Sequence, residues 1–556
     1  MMNCTRYFNF LPVLLLIMTL FVGCDQEEFL KEESRSLVTS DMLFNSKEGV
    51  EYFMTGLYAM VYIERDRGNA IDVYSEQHMS TPMQCGVDNC AVHAHDGTSL
   101  MSPLGEFNFV IPEWAHNRRV YEWIFRVING ANTVISRIDN PEISWTEEEK
   151  TQILAEARCI RAWAYRHATY LWGEVPLIDH EIAEVKTDWE RANMQDLLSF
   201  MEEDLLYAET HLKKFNDHPG KISRAVATHY LAELYLRMER WQDALDAANR
   251  IINSGDYQLI TARYGVRLDE PGIPFMDQFY DGNVKRSEGN TEVLWSWIYE
   301  PGVISKDRGS YMNRYWYHRL YQIDFMGADA KALYGAQSLS RYAITPYGFN
   351  VYEPQDDRYS EYAITHYFIA LKSGLDLRNF TRVSAGDTVW TTWFHPTLPK
   401  TPPTNTSRDF MWSSTRKWED RDPDYALSTS GWTYGDQVYL RLAETYLIKA
   451  EAQFRLGELA EAATTLNVIR ERSNATPITA AEVDLDFILD ERSRELLGEE
   501  HRRYTLVRTG TWYDRYKAYN YLNPDQVQPF HALFPVPQVV IDANITLPME
   551  NNPGYE

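Results

Sequence analysis

Positive charge is scarce in this sequence: 54 Lys and Arg stand against 80 Asp and Glu, a net −26 over 556 residues. A basic stripe able to follow a phosphate backbone is missing, which argues against nucleic acid or any other polyanion as ligand. Long apolar runs are lacking as well. The segment Leu11 to Val22 (LPVLLLIMTLFV), 12 residues long, is too short to cross a hydrocarbon layer of about 30 Å as a helix. Motifs of catalysis are also absent: there is no Gly-x-Ser-x-Gly elbow, no His-Glu-x-x-His, no phosphate-cradling glycine loop and no Cys-x-x-Cys. What is plentiful is apolar side chain, at 44%, enough for a chain of this length to bury a large core.

The apolar run follows a weakly basic start at Arg6 and so reads as a secretion signal. Leu20-Phe21-Val22-Gly23-Cys24 looks like a lipobox, in which a small residue precedes a Cys that becomes the acylated first residue. Phe21 departs from the usual Leu, and an ordinary signal peptide with an incidental Cys is the alternative. Several acyl chains, at about 0.8 kcal/mol per buried methylene, would hold the body stably at a membrane. Asp25-Gln26-Glu27-Glu28-Phe29-Leu30-Lys31-Glu32-Glu33 follows, an acidic run that serves either as a solvated spacer or as a signal for surface export. Of the five cysteines, Cys4 lies in the leader and Cys159 on an apolar helix face. Cys85 and Cys90 share a Gly/Asp/Asn loop and are expected to form a disulfide in an oxidising compartment.

Helical periodicity dominates two regions. Ile153, Ala157, Ile160, Ala164, Ala168 and Leu171 step by three or four, predicting a helix from Gln152 that ends at Gly173, with an extended exit at Val175-Pro176-Leu177. Ala225 to Tyr257 reads as a helical hairpin turning at Glu239-Arg240, and Tyr439 to Ser473 as a second one turning at Leu456-Gly457-Glu458. Ala232 and Ala244, and again Ala450 and Ala462, fall at tetratricopeptide-like spacing. Two hairpins are too few for a free-standing solenoid, so other helices must complete the stack. From about Gly265 to Gly435 the pattern is loop-rich and aromatic, with Thr291 to Ile298 as a candidate strand.

Several segments, in order, resemble the SusD/RagB family: Ala155-Glu156-Ala157-Arg158 through Trp172-Gly173-Glu174-Val175-Pro176-Leu177; Asn253-Ser254-Gly255-Asp256-Tyr257; Tyr439 to Leu447 with Lys449-Ala450-Glu451-Ala452 and Leu466 to Arg472; Glu491 to Leu496 with Arg502-Arg503-Tyr504; and Phe534-Pro535-Val536-Pro537 with Asn552-Pro553-Gly554-Tyr555. The resemblance implies a mainly α fold of tetratricopeptide-like hairpins carrying a loop-rich, partly β subdomain. It implies a surface-exposed outer-membrane lipoprotein that binds a nutrient and hands it to a TonB-dependent SusC-like transporter. The expected division is a leader at 1–23, a helical region at 24–264, a loop-rich ligand-binding region at 265–435 and a helical region at 436–556, the last three forming one compact body.

Side-chain chemistry points to binding without catalysis. Glu491, Glu495 and Glu499 step by four among Arg492, Arg494, Arg502 and Arg503, the pattern of an ion-pair network rather than of two catalytic carboxylates. Cys85, Cys90, His93, His95 and Asp96 do not match a zinc spacing, and no cofactor is expected, although Asp356 and Asp357 could serve a structural calcium. A flat ring can stack on the C–H face of a sugar while polar side chains take its hydroxyls. Tyr311, Tyr315, Trp316 and Tyr317 lie in polar context (Asn313, Arg314, His318, Arg319) where the resemblance places binding loops. Trp390 and Trp393, flanked by threonines, come second, and Trp114 third; for each, core packing is the alternative. An oligo- or polysaccharide is the expected ligand, a peptide the alternative, and a tethered glycoside hydrolase the remaining reading.

Overall fold

The computed structural model describes residues 40–66, 79–92, 102–182, 184–299, 309–328, 330, 333, 338–402, 410–420 and 433–555. The leader, Cys4, Cys24, the acidic run, and His93, His95 and Asp96 lie outside the described residues.

The longer helices are α1 (Lys47–Tyr62), α2 (Ala115–Arg137), α3 (Glu147–Trp172), α4 (Met194–His211), α5 (Arg224–Arg237), α6 (Trp241–Ile252), α7 (Leu442–Leu456), α8 (Leu459–Arg472), α9 (Leu485–Leu496), α10 (Arg502–Arg508) and α11 (Trp512–Tyr519). Helix α3 starts a turn and a half before the expected Gln152 because Thr146 and Glu149 close a capping box. The Thr146 amide donates to the Glu149 carboxylate at 2.8 Å, and the Glu149 amide donates to the Thr146 hydroxyl at 3.2 Å. It stops at Gly173, whose φ of 72° few other residues adopt and whose missing Cβ would stand 3.0 Å from the Leu533 side chain.

Both expected helical hairpins form, as α5–α6 and α7–α8. Their partners are the other helices: α2 packs on α3, α3 on α4, α4 on α5, α5 on α6, α6 on α7, and α7 on α8 and α9. The second hairpin thus continues the stack begun by the first, despite the long stretch of chain between them. Ala244, Ala247 and Ala248 of α6 and Ala450 and Ala452 of α7 are buried, so the absence of bulk is what lets the helices approach. Among the described residues no helix reaches the length and apolarity needed to cross a membrane.

The strands are β1 (Cys90–Val92), β2 (Val293–Trp297), β3 (Tyr342–Ile344), β4 (Tyr367–Ile369), β5 (Gly374–Asp376), β6 (Thr381–Val383), β7 (Thr388–Trp390) and β8 (Gln437–Arg441). They pair antiparallel as β1–β3, β2–β8, β4–β7 and β5–β6. Tyr439-Leu440-Arg441 was expected within the second hairpin, but these residues close the β2–β8 ladder and the helix begins at Leu442. Between 265 and 435 the described helices, Pro274–Asp277, Met312–Trp316 and Pro346–Asn350, have at most five residues. The main apolar core draws on the stretches before 265, from 265 to 435 and after 435, from Phe44 to Tyr555.

The acidic steps are buried rather than solvated, and only Glu491 and Glu495 lie on α9, Glu499 falling in the turn beyond its end at Leu496. Glu491 pairs with Arg358 (2.7 Å), Arg470 (2.7 Å) and Arg494 (2.8 Å); Glu495 with Arg358 (2.9 Å), Arg441 (2.5 Å) and Arg472; and Glu499 with Arg441 (2.7 Å) and Lys417. Asp356 spends its carboxylate on Arg358, at 2.7 and 2.9 Å. That engagement corrects the calcium expectation at Asp356: the guanidinium occupies both oxygens. Among the described residues no three His, Cys, Asp or Glu side chains converge as for a metal ion.

Candidate functional site

Three chain segments meet where β8 begins. The Ser310 amide donates to the Thr433 carbonyl at 2.8 Å, the Thr433 amide returns a bond to Ser310 at 3.0 Å, and the Tyr311 amide donates to the Arg65 carbonyl at 2.8 Å. In front of this junction lies a half-open cleft of about 240 Å³, walled by Phe279, Asp281, Lys417, Trp418, Thr433, Asp436 and Gln437, with Val266 and Arg267 on its rim.

The walls are held from behind. Arg65 is fully buried and its guanidinium lies 4.9 Å from the Trp418 ring, 4.7 Å from Tyr439 and 5.2 Å from Trp297. It donates to the Val438 carbonyl at 3.0 Å and the Gln437 side chain at 3.4 Å. The Trp418 indole N–H donates to the Gly498 carbonyl at 3.2 Å. Asp436 accepts from the Tyr299 amide at 3.0 Å and from Lys285 at 2.5 Å, and its own amide donates to Asp281 at 2.9 Å. Burial, with Asp281 adding to it, raises the Asp436 carboxyl above its ordinary range despite Lys285. Burial also brings the Lys417 ammonium down to about 8, against the pull of Glu499. The lining sets the largely buried rings of Phe279 and Trp418 beside an amide, a hydroxyl and charged groups, of which Asp436 is paired with Lys285, Lys417 with Glu499 and Glu419 with Arg416, and it can bond a rim of hydroxyls.

The aromatic candidates fare unequally. Tyr311, Tyr315 and Trp316 belong to the main core and Tyr317 to a second one, so the expectation that they present stacking faces is corrected. Tyr315 and Trp316 each pack on Tyr342 at 5.3 Å, and the chain at Leu339 and Arg341 bonds to the carbonyls of Arg314 and Tyr315. Their polar neighbours misled: Asn313, Arg314 and His318 are buried too. These residues stand one layer behind the cleft, where Asn313 donates to the Trp418 carbonyl at 2.8 Å. Trp393 is also corrected to core, stacked on Phe349 at 4.5 Å with its N–H on the Tyr359 hydroxyl at 3.1 Å, as is Trp114, edge-on to Phe534 at 5.5 Å. Trp390 alone of the seven is exposed, at 39%. Cys85 and Cys90 are two buried, separate thiols 3.4 Å apart, so the expected bridge is not formed in this structure.

Phe279 and Trp418 were missed by sequence reasoning, since nothing in their local pattern differs from core. The one available signal was position: Trp418 lies between Lys417 and the acidic pair Glu419-Asp420, in the loop-rich stretch.

Residues 277–555 match the sequence model of the SusD family, and residues 28–236 match a second model described as starch-binding associating with outer membrane. SusD-like protein P25 of Formosa agariphila is 25% identical, the match covering 96% of this chain and 97% of that protein. Among solved structures, a laminarin-binding SusD-like protein superposes with a TM-score of 0.68 at 18% identity, over 92% of this chain and 100% of that one. Surface glycan-binding protein A from Bacteroides fluxus does so with 0.66 at 18% identity, over 92% and 99%. At these identities the two structures speak to the fold.

Proposed function

This chain belongs to the SusD family, and from that premise we propose that it is an outer-membrane receptor, lipid-anchored through Cys24 and facing the cell exterior. It captures an oligo- or polysaccharide without chemical conversion and delivers it to a TonB-dependent SusC-like transporter. The observation that carries the ligand class is the Phe279–Trp418 cleft. It is lined by Gln437 and Thr433 beside the largely buried rings of Phe279 and Trp418, and Lys285 pairs with its Asp436 and Glu499 with its Lys417. The second family model, starch-binding, and the two superposed structures, one laminarin-binding and one glycan-binding, support the same class. Binding rather than hydrolysis is favoured because both oxygens of Asp436, the raised carboxyl of the cleft, are held by the Tyr299 amide and Lys285.

The test is affinity electrophoresis and calorimetry of the unacylated chain (Cys24→Ala) across a polysaccharide panel that includes laminarin and starch. Retention in the millimolar to micromolar range, about −4 to −8 kcal/mol, is expected. Trp418→Ala should weaken it about tenfold or more, as loss of a ring from the cleft wall does, with an unchanged melting temperature as the control for folding. Failure to bind any glycan sinks the reading. Turnover of a bound oligosaccharide that disappears in Asp436→Asn would instead make the protein a hydrolase.

A further inference from the structure

A second cavity, of about 200 Å³, opens between the 215–221 loop that lies between α4 and α5, Tyr257, the turn at Arg286 and strand β2. It shares no lining residue with the Phe279–Trp418 cleft. The two adjoin one ladder, for Ser296 of the cavity pairs with Val438 of the cleft. The Arg286 guanidinium lies against two of the cavity's rings, 4.4 Å from Phe215 and 4.7 Å from Tyr257, which themselves stand 5.8 Å apart at 60°. That contact holds the planar group in place before anything binds, so ordering it for a ligand costs little entropy.

A guanidinium carries several N–H donors. Arg286 makes one hydrogen bond, from Nη2 to the Asp256 carbonyl at 2.8 Å, and pairs with no carboxylate among the described residues. The acids around the cavity are each engaged elsewhere: Asp217 with Lys213 at 3.0 Å, Asp256 with Lys214 at 2.6 Å, Glu288 with Lys285 at 2.9 Å, and Glu156 with the Tyr58 hydroxyl at 2.9 Å and Lys221 at 3.9 Å. Arg286 is therefore a cation in a concave site with no anion of its own. Ser296 is a second group left open. It lines the same cavity at 3% exposure, and its hydroxyl has no hydrogen-bond partner among the described residues, so an oxygen placed in the cavity would complete it. His218, Lys221 and Ser287 line the cavity too, and a space of this size suits one hydroxylated ring beside the charge.

We propose that this cavity holds one acidic sugar residue, its carboxylate on the Arg286 guanidinium and one of its hydroxyls on Ser296. The proposal rests on the glycan-capture reading for the choice of a sugar, and adds to it a second site and a charge. A net −26 repels a polyanion along its whole length. A single carboxylate instead meets a cation at contact distance, where the attraction outweighs a diffuse field screened by salt. The ligand expected is a mostly neutral polysaccharide that carries a uronate as a side group or chain end.

The experiment is calorimetry of the unacylated full chain with matched methyl glycosides, glucuronide against glucoside and galacturonide against galactoside, and with sodium acetate as a third arm. At least one uronide should bind about tenfold more tightly than its neutral partner at low salt, an advantage that shrinks as salt rises. Arg286→Ala should remove that advantage, Arg286→Lys should keep only part of it because the planar fork is lost, and Ser296→Ala should weaken the uronide about threefold. All three variants should keep the melting temperature and the retention by neutral polysaccharide. Equal affinity for acidic and neutral glycosides, or an acidic preference that survives Arg286→Ala, overturns the cavity assignment and leaves the glycan-capture reading standing. Acetate bound as tightly as the uronide would make this a site for any small anion and overturn the assignment as well. A uronide held through Arg286 by a chain that retains no polysaccharide would instead sink the capture reading alone.

Discussion

Truncating Trp316 removes a ring that is 1% exposed and packs on Tyr342, and Trp316→Ala should cost about 3–5 kcal/mol of folding stability. Trp390→Ala removes a ring with one face in solvent and should change stability by less than about 0.5 kcal/mol. Denaturant titration of both variants checks the pair, and comparable losses would contradict the burial assigned to them. The thiols of Cys85 and Cys90 belong to the same scale. Their contact at 3.4 Å, together with export to an oxidising compartment, leads to the expectation that they join in the secreted protein. Peptide mapping without reductant should then recover residues 85 and 90 in one linked pair, whereas two alkylated thiols would show that they stay reduced.

At the scale of elements, the α9 network ties β8, α8 and the Asp356–Arg358 turn to one helix. Burial opposes ionisation of Glu491, but the guanidiniums of Arg358, Arg494 and Arg470 outweigh it and hold the carboxyl at about 2. A carboxyl whose folded pKa lies below its ordinary 4.5 contributes stability that is present above that ordinary value and is lost as pH falls toward 2. The melting temperature should therefore fall steadily below about pH 4.5, as followed by circular dichroism, and a value independent of pH down to 3 would contradict the network's role. Arg358→Ala leaves Glu491, Glu495 and Asp356 short of one buried cation and should cost about 3–5 kcal/mol at neutral pH.

For the whole molecule, the core shared by the stretches before 265, from 265 to 435 and after 435 leads us to infer one cooperative body from Phe44 to Tyr555. A single calorimetric transition is the expected result, with two separated transitions as the contrary one. The helical hairpins and the turn at Gly173 were legible along the chain because helix period, small residues and a left-handed glycine are local signals. The α9 network was legible in part: the acidic steps pointed to ion pairs, but not to Arg358, Arg441 and Arg472 as partners, which come from distant segments.

Composition, periodicity and ordered motifs determined by themselves that this is a large α-rich SusD-family body, because those properties follow from neighbours within a few residues of one another. Which aromatic rings face solvent was decided only by the tertiary structure. Exposure of Tyr311, Trp316 or Trp390 depends on what the rest of the chain lays over it: Tyr315 stands 5.9 Å from the first, Tyr342 packs on the second, and nothing among the described residues closes over the outer face of the last.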